Sequence, residues 1–494
     1  MNLKKSIFSY IVWAAFAPLC CLGIVFALNA AGVRDILGWP LAAINGGVCA
    51  YLLFIVAVFF ALRIICGEIH RHIKNRQRVE MVLSVVLPVL ILIGVVVYLV
   101  LYLMYHVPLT LEDDSFYRKA VVSAGQSVPF SVHGTNWLYP SLLHVMLFIF
   151  GNTPFAGVVL QIVLFFICLL FLYIGMQAFV GVIPASVSMA AFAFLPVSLR
   201  YVFSLTPELF YLSLYLIGFG FAGALYGKFR RGASSSAQDI LALFFGFYVG
   251  FLIYLDIYSV SLFFFLVVLY SVDREKIRQA FVSGMLALLG GMGGFILSVI
   301  VVSYTQNMTF SGYLEDLWAF YGSNVGFEIA SLENVLLMPD TTFICSLLLI
   351  SLAFFVIPAF FVWKKAQNSA LILNLFLVYC LSILAISKTD MQMIMTLAWC
   401  ILAGAGVYGV IRRPEQSLAE ENVMSEKKRS EEKENLPEKS QEQEQKTPAP
   451  GEPLPNPLPV PKKKSRPPVD FGYQVKEADM KFDIEIIEGD DFDV

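Results

Sequence analysis

The chain has 494 residues, of which 58% are hydrophobic and only 14% charged, with a formal net charge of -3 at pH 7. Soluble proteins carry about 25% charged residues, so this composition, at a mean hydropathy of +0.74, excludes an ordinary soluble protein and assigns most of the chain to lipid. The lack of a basic excess excludes a nucleic-acid partner held by an electrostatic footprint.

Spanning a bilayer takes about 20 apolar residues, and runs of that kind lie at about 7–30, 41–66, 81–106, 156–180, 184–203, 208–226, 240–255, 257–272, 280–304, 341–362, 369–387 and 391–411. The reading is therefore an all-α polytopic membrane protein with about twelve spans. The first run is too long for a signal-peptide core and has no Ala-x-Ala cleavage pattern near its end, so it is expected to stay as a helix. Only Leu255-Asp256-Ile257 separates the two runs within 240–272, which makes that boundary the least defined. The run at 138–151 falls short of spanning length and is read as a re-entrant or interfacial helix.

Orientation follows from the basic residues. With the N-terminus cytoplasmic, the inner loops hold fourteen, among them Arg71, Lys74, Arg76, Arg78, Lys228, Arg230 and Arg231, and the outer loops hold five: Arg34, Arg118, Lys119, Arg200 and Lys388. That asymmetry is the positive-inside pattern. It predicts a multi-pass protein of the plasma membrane with both termini in the cytoplasm. The eight cysteines all fall in or beside apolar segments, none at metal-ligand spacing, and are read as small lipid- or helix-facing residues.

Beyond Ile411 the composition changes. Residues 412–450 are rich in Glu, Lys, Gln and Ser and cannot build a core. A proline-rich stretch of polyproline II character follows, and the chain ends in alternating apolar and acidic residues from Lys481 to Glu488. This tail is expected to be disordered and cytoplasmic, either as a solvated end or as a docking segment that adds a strand to a partner's sheet.

The chemistry concentrates in the first long outer loop. Glu112, Asp113 and Asp114 stand together just after the run at 81–106, where anionic groups lose hydration and serve plain anchoring badly. Their plainer reading is a hydrated loop start or a helix cap. Glu208 follows Pro207 in an outer turn and equally suits the first turn of the next helix. Asp256 is at home in a tight turn, and Arg200 and Lys388 are the scarce outer cations, each also able to act as a snorkelling anchor. His133 and His144 have no partners at metal-ligand spacing. Asn307-Met308-Thr309 fits the glycosylation sequon.

Glu112-Asp113-Asp114-Ser115-Phe116-Tyr117-Arg118-Lys119-Ala120 resembles the Asp-Glu-x-x-Tyr opening of the first outer loop in GT-C fold glycosyltransferases. It is most similar to glycosyltransferase family 39, the protein O-mannosyltransferase and lipid A aminoarabinose transferase branch. In order after it, Asn136-Trp137-Leu138-Tyr139-Pro140 with Phe150-Gly151 resembles that family's Pro-Pro-Leu…Phe-Gly stretch. Phe194-Leu195-Pro196 with Thr206-Pro207-Glu208 resembles its next helix pair, and residues 246–259 a GxxxGxxxLxK-type hairpin. The similarity spans about 81–411, leaving 1–80 as an added two-helix membrane segment and 412–494 as the tail.

The resemblance implies a transferase that takes a sugar from a polyprenyl-phosphate donor, with inversion at the anomeric carbon. The acceptor would be a cell-surface glycan, lipid or protein on the outer face. Asp113 takes the place of the general base. Asp114 stands where the family usually has Glu, one methylene longer, and it or Glu112 would orient the base. Arg200, Lys388, Glu208 and Tyr117 would bind the donor and its phosphate. Asp256 occupies a position where many relatives carry Lys, which leaves that contact to Arg200 or Lys388. No metal triad is apparent, relatives differ in metal dependence, and a divalent metal is left open. The large outer loop, with Tyr313, Trp318 and Tyr321, is expected to cover the acceptor. The competing classes are a transporter or lipid flippase, which calls for midplane charges and repeated halves, and a scaffold acting through its tail. The sequence carries almost no mid-helix charge and no visible repeat.

Overall fold

The computed structural model describes residues 44–72, 76–105, 120–121, 138–151, 153–231, 235–263, 277–305, 307–324, 343–362 and 392–411. The chain divides into two units, residues 1–423 and 424–494, and every described residue belongs to the first. Among the described residues all regular structure is helical. Six of the described helices are long and apolar enough to cross a membrane. These features define an all-α membrane protein. The runs at 7–30 and 369–387, most of 257–272, and the tail lie outside the described residues.

Helices α1 (Ile44–His72) and α2 (Arg76–Tyr105) are the most exposed of the long helices: only 11% of each spanning window is buried. α3 (Leu138–Phe150) and α4 (Pro154–Val180) form a hairpin whose turn uses Gly151 at φ +87, with Pro154 opening α4 after the extended Thr153. Proline suits that first helical position because its missing N–H has no intrahelical partner there. Gly181, at φ +91, separates α4 from α5 (Val182–Phe194).

The apolar run at 184–203 is not one helix. Leu195 is extended at ψ 134, and the chain restarts at Pro196 as α6 (Pro196–Phe203). The proline ring disfavours α geometry in the residue before it, which accounts for the break. α7 (Glu208–Arg231) follows and is the central helix, with 72% of its window buried.

α8 (Ser235–Leu255) leads through Asp256 into a short 3-10 turn at Ile257–Val260. α9 (Ile277–Thr305) packs along α8 with almost no side chain between them. A Cβ added at Gly246 would run into the carbonyl of Ala287, and one at Gly250 into that of Gly291. Reciprocally, Gly290 faces the carbonyl of Leu243 and Gly294 that of Phe247. Small residues four apart let two membrane helices approach to backbone contact. Both numberings rise together, so α8 and α9 are parallel.

α10 (Phe310–Asn324) follows α9 after a sharp reversal at Asn307, which sits at φ 55. The run at 341–362 divides at Phe355 into α11 (Phe343–Phe354) and α12 (Val356–Val362), and the described chain ends with α13 (Gln392–Ile411). α1 joins this group rather than standing apart. Its Arg63 donates to the Gly409 carbonyl at 2.9 Å, Tyr51 bonds Ser351, and Phe59 meets Phe355 at 5.7 Å between ring centres.

Candidate functional site

The turn between α6 and α7 carries two of the residues that the sequence singles out. Arg200 is exposed on the last turn of α6, where a cation suits the carbonyl end of the helix dipole. Glu208 opens α7, where a carboxylate suits the opposite pole. Capping does not account for all of it, since Glu208 Oε2 is buried with no hydrogen-bond partner among the described residues. Between them, Ser204 Oγ donates to the Tyr201 carbonyl and lies 2.9 Å from Thr206 Oγ1, closing the turn on itself.

One buried amide ties this turn to the hairpin. Gln161 on α4 is fully buried, and its Nε2 donates to Tyr139 Oη at 2.6 Å and to the Thr206 carbonyl at 2.7 Å. A carbonyl only accepts, so the NH2 group must face Thr206 and Oε1 must face away. That Oε1 has no partner among the described residues, and neither has His144 Nδ1 one turn along α3 from Tyr139. Gln161 lies seven residues into α4, about 10 Å from its start. The Leu138 end of α3 is therefore level with the Thr206 turn, and the Gly151 turn projects beyond both.

Two ring contacts complete the arrangement. Tyr102, near the end of α2, stacks on Phe203 at 4.7 Å and 14°, and Tyr139 meets Phe210 at 6.0 Å. Tyr102 and Tyr139, on the two helices that flank residues 106–137, thus both reach the α6–α7 turn. Between those helices in sequence, Ala120 is fully buried and belongs to the apolar core.

Glu112, Asp113, Asp114, Tyr117 and Lys388 lie outside the described residues, so the structure gives them no coordinates to compare with Arg200 and Glu208. Asp256 ends α8: its N–H bonds the Leu252 carbonyl at 2.7 Å and its carbonyl accepts from Ser259 at 3.1 Å, a turn role. It lies at the same end of the helices as Glu208, because α7 and the segment after Asp256 are joined by Tyr215 and Ser261 at 2.9 Å. Among the described residues no three His, Cys, Asp or Glu side chains gather at metal-binding distance.

The aromatics of the outer loop differ from expectation. Tyr313 and Tyr321 are buried, not presented to an acceptor: Tyr313 Oη meets Tyr254 Oη at 2.7 Å, and Tyr321 Oη donates to the carbonyls of Ile253 and Tyr254. Burial first, and then the Asp256 carboxylate and Tyr254, hold the Tyr321 hydroxyl above its ordinary range. Trp318 alone of the three stays exposed.

Sequence reasoning passed over Gln161 and met Tyr139 only as part of a motif. The available signal was a lone amide inside an otherwise apolar run, a placement that in lipid calls for a partner. In class the chain is an all-α membrane protein with a polar turn braced by buried hydrogen bonds. It matches no protein-family model, no curated protein and no solved structure at a significant level.

Proposed function

We propose that this chain is an integral membrane glycosyltransferase of about twelve spans with a GT-C-like core. It moves a sugar from a polyprenyl-phosphate donor to an acceptor on the outer face of the plasma membrane, with both termini cytoplasmic. The observation that carries the reading is the meeting, at one turn, of the two helices that flank the acidic residues in sequence. Tyr102 of α2 stacks on Phe203, and Tyr139 of α3 is bonded through Gln161 to Thr206. That same turn carries Arg200 and Glu208. In this reading Asp113 would lie near Arg200, and a base near a cation suits glycosyl transfer onto a hydroxyl, because proximity lowers the entropic barrier and a preorganised charge stabilises the leaving group.

In this reading Asp113 removes the proton from the acceptor hydroxyl while Asp114 or Glu112 orients it. The acceptor oxygen bonds to the anomeric carbon as the bond from that carbon to the phosphate oxygen breaks. The electron pair leaves with the polyprenyl phosphate, whose charge Arg200 and Lys388 hold. Tyr117 and Glu208 contact the donor.

The test is mass spectrometry of lipids that co-purify with the wild-type protein and with Asp113→Asn. The expected result is a glycosylated polyprenyl phosphate enriched in the variant, where the donor binds and is not consumed. Bulk phospholipid alone in both samples would sink the transferase reading and move the transporter class ahead of it.

A further inference from the structure

The reversal after α9 sets the direction of α10. Asn307, at φ 55, turns the chain; its N–H bonds the Tyr304 carbonyl, and Met308 N–H bonds the Ser303 carbonyl. Thr309 then caps the new helix, its Oγ1 accepting from Gly312 N–H at 3.3 Å. α10 does not continue outward. It crosses the end of α8, where Tyr313 and Tyr321, two turns apart on α10, both reach Tyr254. A helix that starts at the end of α9 and passes over the end of its parallel neighbour runs across the bundle axis.

Its faces sort into three arcs. Tyr313, Leu317 and Tyr321, each four residues apart, point inward and are buried. Phe310, Leu314 and Trp318 form the adjacent stripe and are 44%, 36% and 74% exposed. Glu315 and Asp316 lie beyond, exposed. Ile296, Ile300 and Tyr304 toward the end of α9 are exposed as well. The spanning window Phe281–Thr305 is 25 residues, about 37 Å against a hydrocarbon core of about 30 Å. The last turn of α9 therefore sits at the membrane boundary, and so does the start of α10.

We propose that α10 lies in the plane of the membrane at the boundary where α9 ends, with Phe310, Leu314 and Trp318 in the lipid and Glu315 and Asp316 in water. The occupant of the exposed stripe is the bilayer itself. An amphipathic helix buries its apolar face about 5–10 Å into the headgroup–acyl boundary, and tryptophan favours that depth. α10 has no Lys or Arg, so its attachment rests on apolar area and not on attraction to anionic headgroups. The position also explains why Tyr313 and Tyr321 face inward: the lipid stripe and the protein stripe are neighbouring arcs of one helix.

The test uses the full chain and Trp318→Phe, each reconstituted in phosphatidylcholine brominated either near the headgroup end or near the methyl end of the acyl chain. The difference in emission between the two proteins isolates Trp318. The expected result is strong quenching by the shallow bromine, weaker quenching by the deep one, and little by aqueous iodide. Quenching by iodide alone would put the stripe in water, and quenching by neither would mean protein covers it. Quenching mainly by the deep bromine would mean that α10 runs into the membrane and not along it. Each of these three results overturns the proposal.

Discussion

Two acceptor atoms beside the Thr206 turn are buried without donors among the described residues: Gln161 Oε1 and Glu208 Oε2. A buried polar group without a partner costs about 1–3 kcal/mol. Gln161 is the residue that holds the place together, because its amide joins α3 to the turn. Replacing it by Leu leaves the half-buried Thr206 carbonyl with one donor fewer and removes the bond to Tyr139. The expected cost is about 1–3 kcal/mol, read as a lower midpoint in thermal unfolding of the purified protein. Unchanged stability would show that the amide does not brace the turn. Little of this was legible beforehand. Glu208 stood out by its charge, but an isolated glutamine in an apolar run forms no motif, and its partner is forty-five positions away. The tyrosines of the outer loop misled for a related reason: a sequence displays the ring, while the hydroxyl's need for a carbonyl decides where the ring goes.

At the scale of helices, hydropathy located the spans well because the bilayer imposes one length on all of them. The runs at 81–106, 156–180, 208–226 and 280–304 correspond to α2, α4, α7 and α9 within a few residues. The breaks at Leu195 and Phe355 were not visible to hydropathy, since an apolar run keeps its composition through a kink. Nor was the pairing of α8 with α9, although Gly246 and Gly250 were noticed. A glycine spacing advertises close approach without naming the partner helix. The structure separates the glycines that are needed from those that are not. A methyl group at Gly250 would strike the backbone of Gly291, whereas nothing lies within 4 Å of a Cβ on Gly293. Gly250→Ala should therefore lower stability by at least the ~1–3 kcal/mol typical of overpacking. Gly293→Ala should be neutral, or stabilising by up to about 1 kcal/mol through helix propensity. Unfolding midpoints of the two variants in the same detergent compare them directly, and equal tolerance would contradict backbone contact between α8 and α9.

For the whole molecule, the parallel pair fixes how the chain crosses. Gly246 beside Ala287 and Gly250 beside Gly291 place Leu255 and Ile277 at opposite ends of the α8–α9 pair. The parallel pairing predicts that the stretch between them crosses back as a separate span, as the run at 257–272 suggests. Other contacts sort the remaining helix ends consistently. Tyr173 donates to the Ser84 carbonyl, joining the end of α4 to the start of α2, and Arg63 joins α1 to the end of α13. The positions of Arg71, Arg78, Lys228 and Arg278 all fall at this one end, and Glu208, Asp256 and Glu315 at the other. The positive-inside asymmetry predicts that the first end faces the cytoplasm and the second the exterior. In a chain whose eight cysteines are replaced by serine, Asp256→Cys and Glu315→Cys should react with a membrane-impermeant maleimide added outside intact cells. Lys228→Cys and Gln279→Cys should react only after permeabilisation. Labelling of positions 256 and 279 from the same side would make α8 and α9 an antiparallel hairpin, and every loop after Asp256 would change sides.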